Sequence, residues 1–131
     1  MSDCPFCDRI SNQDDVYATT EFAAAFPDAF PVSDGHTLVV PKRHVARAEQ
    51  LERAEWAGLF DLVREVTGEL ASLPGVEGIN VGLNSGEAAG QTVGHAHVHV
   101  IPRRTGDVED PRGGVRWVMP GRADYWSGRN Q

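Results

Sequence analysis

The chain has no long hydrophobic run, and only two of its 131 residues are cysteines. A membrane-spanning helix needs about 20 consecutive apolar residues, so we expect no association with a membrane. The first residues lack the basic and apolar segments of a secretory signal peptide, which predicts a cytoplasmic location. The net charge of −7 excludes a general affinity for nucleic-acid backbones, because that affinity requires basic surface.

The length is sufficient for one domain with a hydrophobic core, and no repeat or linker divides it. We expect one domain over residues 1–131, with a C-terminal tail at residues 103–131 to which we assign no element. A helical turn is expected at residues 5–10. Apolar residues at three- and four-residue spacing predict a long helix over residues 51–73. Strands are predicted at residues 16–17, 21–26, 36–40, 78–83 and 92–101, the last of them stopped by Pro102.

A glycine-containing loop separates the last two predicted strands, which favours a hairpin between them. The other strands are short and separated by loops, and only one long helix accompanies them. The expected fold class is therefore α+β, a mostly antiparallel sheet with one long helix on one face.

Three of the five histidines, His95, His97 and His99, occupy alternate positions in the last predicted strand. Successive side chains of a strand point to opposite faces, so the apolar residues between them face a core while the imidazoles share the other face. Neighbouring imidazoles are then about 6.6 Å apart along the strand, a spacing that suits a small anion or a metal. Because no fold requires such a row, we interpret it as a functional site.

Imidazole chemistry leaves two interpretations of this row open. In the first, the histidines hold a catalytic zinc ion. In the second, the middle histidine attacks phosphorus while a hydrogen bond to its other nitrogen fixes its tautomer. The preceding loop favours phosphate, because Gly86 and Gly90 permit close backbone approach and Gln91 and Thr92 add polar side chains.

Cys4 and Cys7 form a C-x-x-C pair in a chain without secretory features, which favours a metal or redox role over a structural disulfide. A redox pair is expected after a strand in a βαβ unit, which this sequence lacks. A zinc site would need two further ligands.

Residues 90–103, GQTVGHAHVHVIPR, resemble the signature His-φ-His-φ-His-φ-φ (φ is apolar) of the histidine triad (HIT) family of nucleotide hydrolases and transferases. Residues 31–44, PVSDGHTLVVPKRH, match the family's strand, Pro-Lys turn and following histidine. The resemblance covers residues 4–105. It implies the family's α+β fold and its assembly as a homodimer.

The resemblance also implies a role for each residue of the site. His97 would be the nucleophile on an α-phosphate and would form a nucleotidyl-histidine intermediate, with the carbonyl of His95 orienting its ring. His99 would hydrogen-bond the phosphate, and His36 would support the histidine cluster. The residues implied to contact the nucleotide are Asn84, Gln91 and Thr92 at the phosphate, Asp28 at the ribose, and Phe6, Ile10 and Phe26 at the base.

In the zinc-bearing branch of the family, the histidine after the Pro-Lys turn and the first triad histidine complete the C-x-x-C pair. The resemblance therefore implies structural zinc on Cys4, Cys7, His44 and His95, and it requires no catalytic metal.

The predicted activity is hydrolysis of a purine nucleotide at its α-phosphate, with a diadenosine polyphosphate or an adenosine phosphoramidate as substrate. Three alternatives stay open at this point. They are a nucleotidyl transferase or phosphorylase, a nucleotide-binding regulatory module with incidental catalysis, and a metal-dependent hydrolase that uses the histidine row as ligands.

Overall fold

The computed structural model describes residues 3–128, which form one five-stranded sheet, three α-helices and three short 3-10 helices. The helices are α1 (Pro5–Asn12), α2 (Arg53–Ala71) and α3 (Pro120–Ala123). The strands are β1 (Ala18–Thr19), β2 (Ala23–Pro27), β3 (Thr37–Pro41), β4 (Gly78–Leu83) and β5 (Val98–Arg103), in the spatial order β1-β2-β3-β5-β4. All four neighbouring pairs are antiparallel. The α+β fold class and the β4–β5 hairpin are confirmed.

Helix α2 covers one face of this sheet with a stripe of buried side chains at helical spacing. They pack against the apolar side chains of β3 and β5, and each contributes about 1.5–3 kcal/mol by leaving water. The stripe consists of Leu59, Leu62, Val63, Val66 and Leu70. The helix begins later than predicted because Glu52 is its N-cap, and the Glu52 N–H donates to the Glu55 carboxylate at 2.8 Å.

Helix α1 covers part of the opposite face and is two residues longer than the predicted turn. Its N-cap is Cys4, whose Sγ accepts the backbone N–H of Cys7 at 3.3 Å. Phe6 of α1 packs with Phe26 and the outer side chains of β2 and β3 in a second buried cluster. The face assigned to the imidazoles is therefore partly buried as well.

The histidine strand was predicted too long at its start and too short at its end. Strand β5 begins at Val98, so His95 and His97 lie in the loop before it. Continuing the β3–β5 register places Pro41 opposite Ala96, and the missing N–H of Pro41 cannot extend the ladder. The Ala96 N–H instead donates to the carbonyl of Val45 at 2.8 Å.

Pro102 does not end this strand, contrary to the prediction. It pairs in register with Ile79 on β4, and the strand continues to Arg103. Its carbonyl accepts a hydrogen bond from Ser33 Oγ at 2.8 Å, on the side where β3 has already ended. The N atom of a strand residue points to the same side as its carbonyl, so the missing N–H costs no ladder bond.

The first three strands begin one or two residues later than predicted. The backbone N–H of Thr20 donates to the carbonyl of Ala23 at 2.9 Å, so residues 21–22 form the turn between β1 and β2. Strand β4 lies where it was predicted. Within residues 3–128, no helix combines the length and the hydrophobicity that crossing a membrane requires.

Two glycines of α2 provide a matched test of how the helix sits on the sheet. A Cβ at Gly58 would lie 2.7 Å from Phe22 Cδ2 and 2.8 Å from Phe22 Cβ, whereas a Cβ at Gly68 would have no neighbour within 4 Å. We expect Gly58→Ala to destabilise the fold by about 1–3 kcal/mol through overpacking. Gly68→Ala should stabilise it by about 0.5–1 kcal/mol, because alanine favours the helix. Urea unfolding measures both, and stabilisation by Gly58→Ala would contradict the close approach.

Candidate active site

The three histidines of the row share one face of the sheet, as the alternation predicts, but they differ in burial. His95 is fully buried, His97 is 7% exposed, and the side chain of His99 is 24% exposed. The apolar residues between them, Ala96 and Val98, belong to the core under α2. The row therefore runs from the protein interior towards solvent.

His95 connects two parts of the site through its two ring nitrogens. Its Nε2 lies 2.8 Å from the carbonyl of Pro41, which can only accept, so Nε2 carries the proton. Its Nδ1 is then a bare lone pair, and it faces Cys4 Sγ at 3.2 Å and Cys7 Sγ at 3.5 Å. Burial lowers the pKa of His95, which favours this neutral form.

The donor atoms of Cys4, Cys7, His44 and His95 lie within 4.8 Å of one another. His44 Nδ1 is 3.1 Å from His95 Nδ1 and 3.4 Å from Cys7 Sγ. A tetrahedral zinc ion, bound at about 2.05 Å to nitrogen and about 2.3 Å to sulfur, separates two nitrogens by about 3.3 Å and a nitrogen from a sulfur by about 3.6 Å. The donor set and its spacing fit such an ion.

The turn that carries His44 is held to the start of α2 by a bidentate ion pair. Arg43 Nη2 and Nε donate to the Glu55 carboxylate at 2.7 and 2.8 Å. These bonds, together with the Glu52 N–H, hold the pKa of Glu55 down at about 2. Glu55 thus caps α2 and, through Arg43, holds the turn that carries His44. The sequence pattern did not indicate this role.

His97 is oriented by the backbone of the row itself. Its Nδ1 lies 2.8 Å from the carbonyl of His95, so Nδ1 carries the proton and Nε2 presents a lone pair. The ring of Phe6 stands edge-on to the His97 imidazole, with 5.1 Å between centroids. A fixed imidazole with a free Nε2 is the arrangement that nucleophilic attack requires.

A chain of three hydrogen-bonding groups fixes His99 in the complementary tautomer. The backbone N–H of Val32 donates to His36 Nδ1 at 3.1 Å, so the His36 proton is on Nε2. His36 Nε2 then donates to His99 Nδ1 at 2.9 Å, which leaves the His99 proton on Nε2. His97 therefore offers a lone pair and His99 beside it offers a donor, with 5.0 Å between ring centroids.

Burial keeps His36 and His99 neutral. It lowers the pKa of His36, and burial together with the His97 and His36 rings lowers the pKa of His99 to about 4. The Asp28 carboxylate opposes both shifts, since Oδ2 lies 3.4 Å from His36 Nε2 and 4.0 Å from His99 Nδ1. The histidines stay neutral at pH 7 because desolvation outweighs this single charge.

Asp28, His36 and His99 form a second group of potential metal ligands within 4.8 Å of one another. The Val32 N–H occupies His36 Nδ1, so a metal could bind Nε2 only if the ring lost its last proton. A neutral His36 ring that accepts from Val32 at Nδ1 keeps its proton on Nε2, so it cannot also bind a metal there. The group is therefore a hydrogen-bonding relay, which argues against a catalytic metal at the histidine row.

The side chains implied to contact phosphate differ in how available they are. The Gln91 amide braces the glycine loop, because it accepts from the Gly86 N–H at 2.7 Å and donates to the carbonyls of Ala46 and Val93. Thr92 is exposed and Asn84 is half-buried, and neither side chain makes a hydrogen bond within residues 3–128.

The side chains implied to hold the base are mostly occupied by the core. Phe6 and Phe26 are buried and contact each other, with 5.6 Å between ring centroids, so these two rings leave no slot for a base. The guanidinium of Arg9 lies over the Phe26 ring at 4.0 Å. Ile10 is half-buried at the edge of this cluster.

Comparisons with known proteins agree with this geometry. A sequence model of the HIT domain matches residues 9–106. An asymmetrical bis(5'-nucleosyl)-tetraphosphatase of Schizosaccharomyces pombe is 39% identical over 95 residues, which are 72% of this chain and 52% of that protein. An adenosine 5'-monophosphoramidase of the same yeast is 41% identical over 86 residues, 66% of this chain and 62% of that protein. A Zn-bound HIT protein from Mycobacterium smegmatis is 34% identical with a TM-score of 0.70, over 82% of this chain and 80% of that one.

The tautomer chain can be tested at Val32, whose side chain is exposed while its N–H is used by His36. Val32→Pro removes the N–H, and Val32→Ala keeps it. We expect ring ¹⁵N spectra of Val32→Pro to show mixed tautomers at His36 and His99, because no donor then opposes a proton on His36 Nδ1. The spectra of Val32→Ala should match those of the unaltered protein. A single unchanged tautomer in Val32→Pro would show that the N–H does not control the relay.

Proposed function

The chain belongs to the HIT family, and on that premise we propose that it hydrolyses a purine nucleotide at the α-phosphate through a nucleotidyl-histidine intermediate. The observation that carries the proposal is that His97 and His99 are held in complementary tautomers. The His97 Nδ1–H is held by the His95 carbonyl, which frees Nε2, while the relay through His36 leaves His99 Nε2–H as a donor. Phosphoryl transfer needs positioning and charge stabilisation more than covalent assistance from other groups.

In the first step, the lone pair of His97 Nε2 attacks the α-phosphorus. A P–N bond to His97 forms, the bond from phosphorus to the leaving group breaks, and its electron pair departs with the leaving group. A nucleoside polyphosphate leaves as the anion, whereas the nitrogen of a phosphoramidate takes a proton from solvent as it leaves. His97 becomes cationic, and the hydrogen bond from Nδ1–H to the His95 carbonyl strengthens. His99 Nε2–H donates to a phosphoryl oxygen, where negative charge accumulates.

In the second step, water attacks the same phosphorus. A P–O bond forms, the P–N bond breaks and returns its electron pair to His97 Nε2, and the proton of water passes to solvent. The products are a nucleoside monophosphate and the leaving group. Phosphate or a sugar phosphate in place of water would make the same intermediate serve a phosphorylase or transferase.

The relatives support this reaction class. The yeast proteins named above act on a dinucleoside tetraphosphate and an adenosine monophosphoramidate, two substrates that differ in their leaving group. For this chain we propose that Asn84 and Thr92 contact the phosphate, that Gln91 positions the glycine loop, and that Ile10 and the edge of Phe6 border the base. Asp28 remains our proposed contact for the ribose.

We further propose that Cys4, Cys7, His44 and His95 hold a structural zinc ion. Zinc would tie α1 to the turn after β3 and would fix the backbone whose carbonyl orients His97. The donor spacing and the Zn-bound mycobacterial relative support this assignment.

The assembly that we propose is a homodimer of one domain per chain. Strand β4 lies at the sheet edge, with β5 as its neighbour, and Val81 on it is 36% exposed. An unpaired edge of this kind favours pairing with a second copy. A cytoplasmic location remains a prediction.

The nucleophile is tested by His97→Ala. We expect a loss of at least about 1000-fold in kcat with nucleotide binding retained, because the covalent step is removed. Rapid denaturing quench and peptide mass analysis should detect a nucleotidyl adduct on His97 in the unaltered protein. A rate that survives in His97→Ala but is lost with a chelator would favour metal-dependent hydrolysis. Nucleotide binding without turnover would favour a regulatory module.

The metal is tested by elemental analysis of protein prepared without added zinc. We expect about one zinc per chain, with most of it lost in Cys4→Ser and retained in the matched control Asp8→Asn, which alters α1 outside the donor set. Losing the ion should lower Tm on the order of 10 °C, because zinc stabilises only the folded chain. Equal zinc content in the two variants would contradict the assignment.

A further inference from the structure

The segment after β5 folds back onto its own sheet. It contains a short 3-10 helix, Gly114–Val118, followed by α3. Both Gly113 and Gly114 have positive φ, and a Cβ on Gly113 would lie 3.2 Å from Trp117 Nε1. A Cβ on Gly114 would lie 3.2 Å from Asn80 Nδ2 on β4. Gly113 therefore permits close approach of the loop to Trp117, and Gly114 permits its close approach to β4.

The ring of Trp117 is held in place although its side chain is partly exposed. Its Nε1–H donates to the carbonyl of Arg112 at 2.7 Å, and the Arg112 guanidinium lies over the Trp126 ring at 4.8 Å. Arg116 Nε donates to the carbonyl of Ala123 at 2.9 Å, which ties the 3-10 helix to α3. A fixed aromatic ring, 43% exposed at the residue level, is suited to stacking with a planar ligand.

A cavity of about 410 Å³ lies between this segment and the sheet. Its floor is formed by Asn80, Ile101 and Arg103, and its walls include Val115 and Trp117. Ile101 follows His99 by two residues and pairs in register with Asn80, so the floor lies on the same face as the imidazoles. Along β5, Ile101 is about 7 Å and Arg103 about 13 Å beyond His99.

The lining matches a heteroaromatic base. Trp117, Val115 and Ile101 are apolar. Asn80 Oδ1 accepts from Arg103 Nη1 at 2.7 Å, which leaves the Nδ2 group of Asn80 as the hydrogen-bond donor beside them. The carboxylates beside the cavity are neutralised, since Asp107 pairs with Arg103 at 2.8 Å and Asp110 pairs with Arg112 at 3.0 Å. An anionic substrate therefore meets no uncompensated negative charge from these two groups.

We propose that this cavity binds the second base of a dinucleoside polyphosphate, on the leaving-group side of the reaction. The inference rests on the proposed function and narrows its substrate class. With the α-phosphate at His97 and His99, the polyphosphate bridge runs along β5 and places the distal nucleoside at Trp117. Attack by His97 breaks the bond from the α-phosphorus to the bridging oxygen, and the departing nucleoside polyphosphate keeps that oxygen and its electron pair.

Trp117→Ala tests the proposal when kcat/KM is compared for two substrates that share the α-phosphate site. For diadenosine tetraphosphate we expect a loss of about 5- to 150-fold, the range associated with one base–aromatic stack. For adenosine phosphoramidate, which has no second base, we expect no change. Trp117→Phe should recover most of the loss. Val118→Ala is the matched control, because Val118 is 75% exposed and lies outside the cavity lining.

Two other results would overturn the proposal. An equal loss on both substrates would assign Trp117 a structural role, and an unchanged rate on both would leave the cavity without a part in substrate binding. If the unaltered protein hydrolyses neither substrate, the proposed function fails separately. The cavity is then tested by binding of diadenosine tetraphosphate and AMP to the unaltered protein and to Trp117→Ala. A selective weakening of the dinucleotide supports the second base site, and its absence overturns it.

Discussion

The hydrogen bond from His97 Nδ1 to the His95 carbonyl is the interaction on which the site depends. It holds the proton on Nδ1 of the proposed nucleophile and leaves Nε2 free. The partner of Nδ1 is a backbone carbonyl rather than an acidic side chain. The carbonyl is itself fixed, because the His95 ring is anchored at both nitrogens, to the Pro41 carbonyl on one side and towards two thiols on the other. His95 thus contributes its ring to the proposed zinc ligands and its backbone carbonyl to the orientation of His97. A disturbance at Cys4 would reach His97 through a backbone carbonyl.

The sheet explains how such a site can be both ordered and accessible. Helix α1 covers the imidazole face over β2 and β3, and the C-terminal segment covers the same face beyond His99 on β4 and β5. Each cover buries part of the face and leaves the region of His97 and His99 between them. Burial from α1 fixes the His97 ring through Phe6, whereas His99, nearer the gap, keeps a partly exposed edge. Burial thus decreases along the row, from the fully buried His95 to the partly exposed His99, which lies nearest the gap.

The sequence predicts those features that depend on the type of side chain. Alternation places the three imidazoles on one face, and the turn between two apolar strands predicts the β4–β5 hairpin. What could not be predicted depends on backbone groups, which every residue carries. The Val32 N–H that sets the His36 tautomer and the Pro41 carbonyl that sets the His95 tautomer leave no trace in residue type. The start of the histidine strand depended likewise on the partner strand, because Pro41 lies opposite Ala96 only in the folded register.

The neutrality of the relay has a consequence for turnover. If His99 were protonated on both nitrogens, its Nδ1–H would face the Nε2–H of His36, and the 2.9 Å contact would become repulsive. A cationic His99 would also bind phosphate through a charge-assisted hydrogen bond, about twice as strong as a neutral one. That strength would act on the anionic product as well as on the transition state and would slow its release. Burial, which lowers the pKa of His99 to about 4, instead preserves a neutral donor. The positive charge that stabilises the developing phosphoryl anion then arises on His97 only when the P–N bond forms, and it disappears when that bond breaks.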